Sequence, residues 1–254
     1  MKPVAIFRHA AVEGAGYFAT FLAAHSIPST LFAIDRGDPL PPDADAYAGL
    51  CFMGGPMSVN DPLPWIDAEC GLIRDADARG IPVIGHCLGG QLMSKAFGGR
   101  VDANPVKEIG WGTARGAEHP LARHWLGDVA ARPGTGIDTA TAGEGSGEAA
   151  TVFQWHGETF SIPPGATRIL GSDFCANQMF VLGPHLGMQC HVEMTPEMIV
   201  AWCASWPEEV AGLAALPASV QTPERMQAEA AARLPAMRRL ADRLYSVWIG
   251  GLRR

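Results

Sequence analysis

The 254-residue sequence has no CxxC pair, and its six cysteines are scattered along the chain. That spacing is not typical of a zinc site or of a disulfide framework, and it indicates reduced thiols in a reducing compartment. No apolar run reaches the length of about 18 residues that a membrane span needs. The N-terminal apolar stretch meets Arg8 and His9 too early for a signal peptide. We therefore expect a cytoplasmic protein that does not contact membranes.

Positive charge and nucleotide-binding motifs are also scarce. The sequence has 19 Lys and Arg against 26 Asp and Glu, a net charge of -7 at pH 7. Because binding to phosphate backbones needs a basic surface, this balance argues against nucleic acid as a main partner. The P-loop pattern GxxxxGK[ST] and a serine- and glycine-rich ATP-pyrophosphatase signature are both missing. The sequence therefore shows no nucleotide-binding motif of its own.

Apolar residues make up 48% of the sequence, which is enough for a sizeable core. In the first hundred residues strand-like and helix-like segments alternate, as in a parallel sheet with crossover helices. The predicted strands are 4–8, 30–34, 48–53, 82–85, 107–114, 151–155, 168–171, 179–182 and 186–191, with helices near 17–25 and over 66–78. The order predicts an α/β protein with a mostly parallel central sheet.

Two later helices are predicted from their first residues. Thr195-Pro196-Glu197 and Thr222-Pro223-Glu224 each offer an N-cap hydroxyl, a proline at the first helical position and an acid near the positive end of the helix dipole. We expect a break in the second helix at Pro235. Residues 132–150, rich in Gly, Ala and Thr, predict an exposed loop. Without a linker to separate domains, the chain is predicted to be one domain over 1–254, with a core of about 3–205 and a helical extension of about 206–250.

The segment GHCLGGQ, residues 85–91, places Cys87 between a predicted strand and a predicted helix. A nucleophile at such a turn needs small residues two positions before and after it, and Gly85 and Gly89 lie there. The N-H groups at the start of the helix favour a thiolate, and the N-H of Leu88 can face a developing oxyanion. The alternative is a buried structural cysteine beside packing glycines.

Two further segments supply partners for this cysteine. His191 and Glu193 end a predicted strand with the spacing that puts both side chains on one side of the chain, so a carboxylate can orient an imidazole. The strand over 48–53 is followed by Gly54 and Gly55, where a backbone N-H can approach a ligand closely. Taken alone, that pair of glycines is more typical of an ordinary turn.

Together these motifs resemble the class I glutamine amidotransferase family, specifically its stand-alone GMP-synthase-like members. The resemblance covers about residues 3–245, and its motifs occur in the family order: MGGP at 53–56, GHCLGGQ at 85–91, EIGW at 108–111, FQWHGE at 153–158, NQ at 177–178 and HVE at 191–193. It implies a three-layer α/β/α fold of the flavodoxin-like kind, a mostly parallel sheet with flanking helices, followed by C-terminal helices.

The resemblance also implies hydrolysis of a γ-glutamyl amide, with glutamine as the expected substrate. Cys87 would attack the amide, His191 would protonate the leaving ammonia and Glu193 would orient His191. Gly55 and Leu88 would donate N-H groups to the oxyanion. The substrate-binding residues implied are Gly54, Gln91, Trp155, His156 and Gly157. No metal or organic cofactor is expected. If the ammonia is used for a synthesis, a separate synthase or acceptor subunit would have to receive it, since the chain has no ATP-binding motif of its own.

The sequence departs from the family at the histidine. The family's Phe-His-Pro-Glu is here Cys190-His191-Val192-Glu193, and loss of the proline is expected to loosen the alignment of the imidazole. His156 is as well explained by a structural role as by substrate binding. His9, His86 and His185 are expected to be structural or exposed, with His86 on the face opposite Cys87.

Three alternatives to ammonia-producing catalysis stay open. The first is a γ-glutamyl peptidase or hydrolase without an ammonia acceptor, which would use the same thioester chemistry. The second is a regulatory or binding module that has kept the fold without turnover. The third, a redox or glyoxal-handling protein with an elbow cysteine, is disfavoured because such proteins usually lack the downstream HxE.

Overall fold

The computed structural model describes residues 1–130, 149–211 and 217–253. Nine strands within these ranges form one sheet in the order β2-β1-β3-β4-β9-β8-β7-β5-β6. Their bounds are β1 Val4–Arg8, β2 Ser29–Ala33, β3 Gly49–Phe52, β4 Val83–His86, β5 Val101–Gly116, β6 Ala150–Phe160, β7 Thr167–Gly171, β8 Met179–Leu182 and β9 His185–Met188. The first five strands of this sheet order, β2, β1, β3, β4 and β9, pair in parallel with one another. The other pairings in the sheet are antiparallel.

Seven α-helices accompany the sheet in the described part of the chain. They are α1 Gly16–Ala24, α2 Pro64–Ala78, α3 Leu88–Ala96, α4 Pro120–Leu126, α5 Pro196–Ser205, α6 Glu208–Ala211 and α7 Pro223–Ile249. The predicted starts of α5 and α7 are confirmed. The Thr195 hydroxyl accepts a hydrogen bond from the Met198 N-H at 3.2 Å, and the Thr222 hydroxyl accepts one from the Arg225 N-H at 3.3 Å.

The two faces of the sheet carry separate apolar cores, as the alternation of side chains along β1 shows. Val4 and Ile6 pack in the core that includes residues of α1, α4, α5 and α7. Ala5 and Phe7 pack in the opposite core with residues of α2 and α3. Because successive side chains of a strand point to opposite faces, the inner parallel strands β1, β3, β4 and β9 are buried on both sides, whereas the edge strand β2 is largely exposed. The predicted three-layer α/β/α class is confirmed.

Several predicted details are wrong. The strand predicted over 186–191 ends at Met188, because the chain then turns toward the site described below. Helix α7 continues through Pro235 without a break. A proline removes only one helical N-H, and the apolar side of α7 from Met226 to Trp248 is buried against the sheet, which outweighs that loss. Strands β5 and β6 are longer than predicted, and α4 was not anticipated.

Two expectations, on one loop and on the domain division, stay predictions. Most of the loop predicted over 132–150 lies outside the described residues, and the assignment of the whole chain to one domain stays a prediction. Among the described helices, none combines the length and the apolar character that a bilayer crossing demands.

Candidate active site

Cys87 lies at a tight turn between β4 and α3, with φ 50° and ψ -107°. This is one of two non-glycine residues with positive φ in the described ranges. The turn depends on its glycines. A Cβ on Gly85 would lie 2.4 Å from the backbone of Gly89, and a Cβ on Gly89 would lie 2.1 Å from the carbonyl oxygen of Phe52. The predicted elbow is therefore present, and its backbone geometry excludes side chains at both glycines.

The Cys87 side chain is 7% exposed and lines a cavity of about 370 Å³ at the carboxyl ends of the parallel strands. Ligands of open α/β sheets bind at this edge. The Gln189 amide donates a hydrogen bond to Cys87 Sγ at 3.6 Å, and Gln91 donates to the Gln189 oxygen at 3.2 Å. The thiol is thus held in a hydrogen-bonded position and still faces the cavity.

His191 and Glu193 form a buried pair, and His191 lines the same cavity. His191 Nδ1 and Glu193 Oε1 lie 2.6 Å apart, and the backbone of His191 is fixed by two hydrogen bonds with Phe153. The Val192 N-H donates to Glu193 Oε2 at 2.9 Å. A proline at this position has no N-H, so the substitution that was expected to loosen the pair instead supplies an extra hydrogen bond to the carboxylate.

Charge is concentrated on this pair. Burial lowers the pKa of His191, but Glu193 and Cys87 raise it by more, so the pKa lies well above its ordinary value. Burial would raise the pKa of Glu193, but His191 and then His86 lower it to about 2. The geometry therefore favours an imidazolium and a carboxylate, with His191 Nε2 buried and free of hydrogen-bond partners among the described residues. A free Nε2 beside the cavity can exchange a proton with a bound molecule.

The two predicted oxyanion donors lie beside Cys87. Gly55 lines the cavity, and Leu88 borders it next to Gly55. Neither of their N-H groups donates to an acceptor in the described ranges. The turn that carries Gly55 is anchored by His9, whose Nδ1 donates to the Met53 carbonyl at 3.0 Å. Burial lowers the pKa of His9, but the Glu69 carboxylate, 3.0 Å from Nε2, raises it overall. This ion pair holds the His9 ring in the orientation in which Nδ1 donates to the turn.

The predicted substrate-binding residues divide into two groups. Gln91, Trp155, His156 and Gly157 line the cavity, whereas Gly54 lies beneath it against His191 and Glu13. Both nitrogens of His156 are already paired, Nδ1 with the Glu158 carbonyl at 2.9 Å and Nε2 with the Glu108 carboxylate at 3.1 Å. These bonds support the structural role considered for His156, although its edge still faces the cavity.

Other residues at the site were not predicted. The Glu13 carboxylate lines the cavity beside His191, and Gln189 contacts Cys87. His86 lies behind Glu193, with Nε2 3.9 Å from Oε2 and 3.0 Å from the Tyr245 hydroxyl of α7. Burial lowers the pKa of His86, and the charge of Glu193 opposes this shift. The one available signal for Glu13 was an acid shortly after the carboxyl end of a buried strand, the edge where ligands bind.

A possible metal-binding group lies next to the cavity. Ligand atoms of Glu108, His156 and Cys175 lie within 4.8 Å of one another, the only such group of three among the described residues. The carboxylate and imidazole already bond to each other, and Cys175 Sγ is 3.2 Å from the Thr159 hydroxyl. Burial raises the pKa of the Cys175 thiol, which disfavours the thiolate that metals bind. The group is better explained as a polar network that supports β6.

Fold and site together define a doubly wound α/β protein with a Cys, His and Glu constellation at the carboxyl edge of its sheet. The model of the family described as Glutamine amidotransferase class-I matches residues 22–199. The glutamine amidotransferase-like protein YfeJ of Salmonella typhimurium is 31% identical over 201 residues, which cover 75% of each chain. This chain belongs to the class I glutamine amidotransferase family.

Three other proteins refine the comparison. The crystal structure of a glutamine amidotransferase from Methylobacillus flagellatus is similar with a TM-score of 0.89 and 43% identity, covering 100% of this chain and 96% of that one. Gamma-glutamyl peptidase 2 of Arabidopsis thaliana is 26% identical over 192 residues, 73% of this chain and 71% of the peptidase. The GMP synthase of an Azoarcus species is 27% identical over 125 residues, 49% of this chain but 21% of the synthase.

Proposed function

We propose that the protein hydrolyses the γ-amide of glutamine through a thioester on Cys87 and releases ammonia and glutamate. The single observation that carries the proposal is that Cys87, at a strained strand-to-helix turn, and His191, which pairs with the buried Glu193, line one cavity. A nucleophile, a base and a group that orients the base form the set that acyl transfer requires.

In the proposed reaction the Cys87 thiolate attacks the amide carbon, and the Gly55 and Leu88 N-H groups stabilise the oxyanion. The imidazolium of His191 gives its Nε2 proton to the nitrogen as the carbon-nitrogen bond breaks. Water then attacks the thioester while His191 accepts a proton, and glutamate leaves with the thiolate restored. Glu193 stays ionised and holds Nδ1-H. All six cysteines are free thiols, and a reducing compartment such as the cytoplasm would keep Cys87 available.

A second candidate is cleavage of substituted γ-glutamyl compounds. The cavity extends past the catalytic group to Lys107, Glu158 and Glu209, which leaves room for a larger leaving group. A relative named as a γ-glutamyl peptidase aligns with most of this chain. The ammonia-producing alternative is supported by the relatives named as amidotransferases and GMP synthases, and it allows a separate synthase or acceptor subunit as partner.

The test follows glutamate and ammonia from glutamine and from γ-glutamyl dipeptides. Wild-type protein should release glutamate, and Cys87→Ala should lower kcat by a factor of about 10^4 or more, since removal of one member of a cooperating set costs most of its rate. Cys203→Ala is a matched control, because Cys203 is similarly buried but lies on α5 outside the cavity. Turnover retained in Cys87→Ala, or no release by the wild type from any of these compounds, would contradict the proposal.

A further inference from the structure

Glu13, in the segment between β1 and α1, has a carboxylate that the reaction described above does not use. The residue is 5% exposed, and it lines the cavity together with Cys87 and His191. Its side chain makes no hydrogen bond or ion pair among the described residues, and its oxygens are not sealed from solvent, while its own N-H donates to the Ala10 carbonyl. Buried polar groups are nearly always paired. A buried carboxylate that borders a cavity without a partner is suited to accept a hydrogen bond from a bound molecule.

The position of the carboxylate is defined by Gly54. A Cβ on Gly54 would lie 2.0 Å from Glu13 Oε2 and 3.3 Å from His191 Cε1. The carboxylate and the imidazole edge therefore approach the same side of this glycine. The next residue is Gly55, whose N-H is a proposed oxyanion donor. Glu13 thus borders the place where the reacting amide must lie.

Burial and the charged groups around Glu13 together set its protonation. Burial raises the pKa of Glu13 to about 7, with His191 and His9 opposing the shift and Glu193 adding to it. At and above neutral pH the carboxylate form is accessible, and this form only accepts hydrogen bonds. It can therefore bind an N-H group and cannot donate to an ether or ester oxygen.

In the proposed reaction the leaving nitrogen is the substrate atom that approaches His191, and so the one that can approach Glu13. This nitrogen takes its proton from His191 Nε2. Within the imidazole ring, Nε2 is bonded to Cε1, which is the atom that faces Gly54. We propose that the Glu13 carboxylate accepts an N-H hydrogen bond from the leaving nitrogen of the γ-amide and so makes the site selective for amides over γ-esters. The inference rests on the proposed function.

The role fits the proton balance of the step. As the carbon-nitrogen bond breaks, its electron pair stays on nitrogen and the proton comes from His191. The nitrogen gains positive character, so its hydrogen bond to an anionic acceptor strengthens at that moment. Glu13 itself neither gains nor loses a proton. A γ-ester has an oxygen leaving atom without hydrogen, and a carboxylate beside it gives no such bond.

The experiment compares glutamine with the γ-methyl ester of glutamate as substrates of the full chain. Glu13→Ala and Glu13→Gln should lower kcat/KM for glutamine by about 10- to 100-fold, the range for loss of a hydrogen bond to a charged group. The rate with the ester should stay within about threefold of the wild type or rise. Glu209→Gln removes another cavity carboxylate, one that pairs with Lys107, and should change both substrates by the same factor.

The outcomes separate the two proposals. Wild-type protein that cleaves neither compound overturns the proposed function and this inference with it. Wild-type protein that cleaves both, with Glu13 variants that lose amide and ester turnover equally or lose neither, overturns the role of Glu13 alone. Because a purely structural effect of the substitution would slow both substrates, the ratio of amide to ester rates is the deciding quantity.

Discussion

The glycine two residues after Cys87 offers a direct test of the elbow geometry. In Gly89→Ala the new Cβ would lie 2.1 Å from the carbonyl oxygen of Phe52 and 2.6 Å from its carbon. Both are backbone atoms, so no flexible side chain can give way. Since real Cβ contacts essentially never fall below 3.0 Å, strand β3 and helix α3 would have to separate by about 1 Å.

A matched control exists within the same layer of helices. Gly71, inside α2, has no atom within 4 Å of the position of a Cβ. Replacing a helical glycine by alanine gains about 0.5–1 kcal/mol where there is space. Overpacking costs about 1–3 kcal/mol and sometimes more. Gly71→Ala should therefore stabilise the protein by about 0.5–1 kcal/mol, whereas Gly89→Ala should destabilise it by about 1–2 kcal/mol or more.

The assay is urea unfolding of both variants and the wild type at one pH, followed by steady-state turnover under native conditions. Gly89→Ala should also lower kcat by about 100-fold, because a displacement of about 1 Å moves Cys87 and the Leu88 N-H away from the reacting carbon. Gly71→Ala should keep the wild-type kcat. Equal stabilisation of both variants, or a fully active Gly89→Ala protein, would refute the geometry assigned to the turn.

The remaining predictions concern the two buried acids. The pKa of Glu13 rises from 4.5 in the unfolded chain to about 7 in the folded protein. Between pH 4.5 and about 7 the folded protein therefore holds a proton that the unfolded chain has lost, and the free energy of unfolding falls as the pH rises through this window. Urea unfolding should find Glu13→Gln more stable than the wild type by up to about 3 kcal/mol at pH 8 but about equal at pH 4; a pH-independent difference would contradict this. Glu193→Gln removes the charge that holds His191 Nδ1-H and should lower kcat by about 10^2- to 10^4-fold in a correctly folded protein, while a rate within threefold of the wild type would argue against the orienting role.

The parts of the fold that could be predicted have strong local patterns. Strand β1 and the starts of α5 and α7 follow from apolar runs and N-cap residues that act within a few positions. The elbow around Cys87 could be predicted because the tight turn leaves no room for side chains two residues before and after the cysteine, and glycine occurs at both positions. The predicted end of β9 was wrong because the hydrogen bonds that draw His191 out of the strand come from Phe153, which is distant in sequence.

The missed residues depend on tertiary contacts. Glu13 and Gln189 carry no motif. Glu13 reaches the cavity, and Gln189 reaches Cys87, only because β1 and β9 end at the same edge of the sheet. His86 was expected on the face away from Cys87, and it indeed lies beneath the site, but its approach to Glu193 and to Tyr245 of α7 could not be derived from the sequence. Pro235 is tolerated because burial of α7 along its whole length outweighs one lost hydrogen bond.

Cys87 is the proposed nucleophile, and covalent capture tests this role most directly. A chloroketone analogue of glutamine, followed by intact-protein mass measurement and peptide mapping, should add once, at Cys87, and an excess of glutamine should slow the reaction. The other five cysteines are buried outside the cavity and should stay unlabelled. No adduct, or an adduct at another cysteine while Cys87 stays free, would contradict the account.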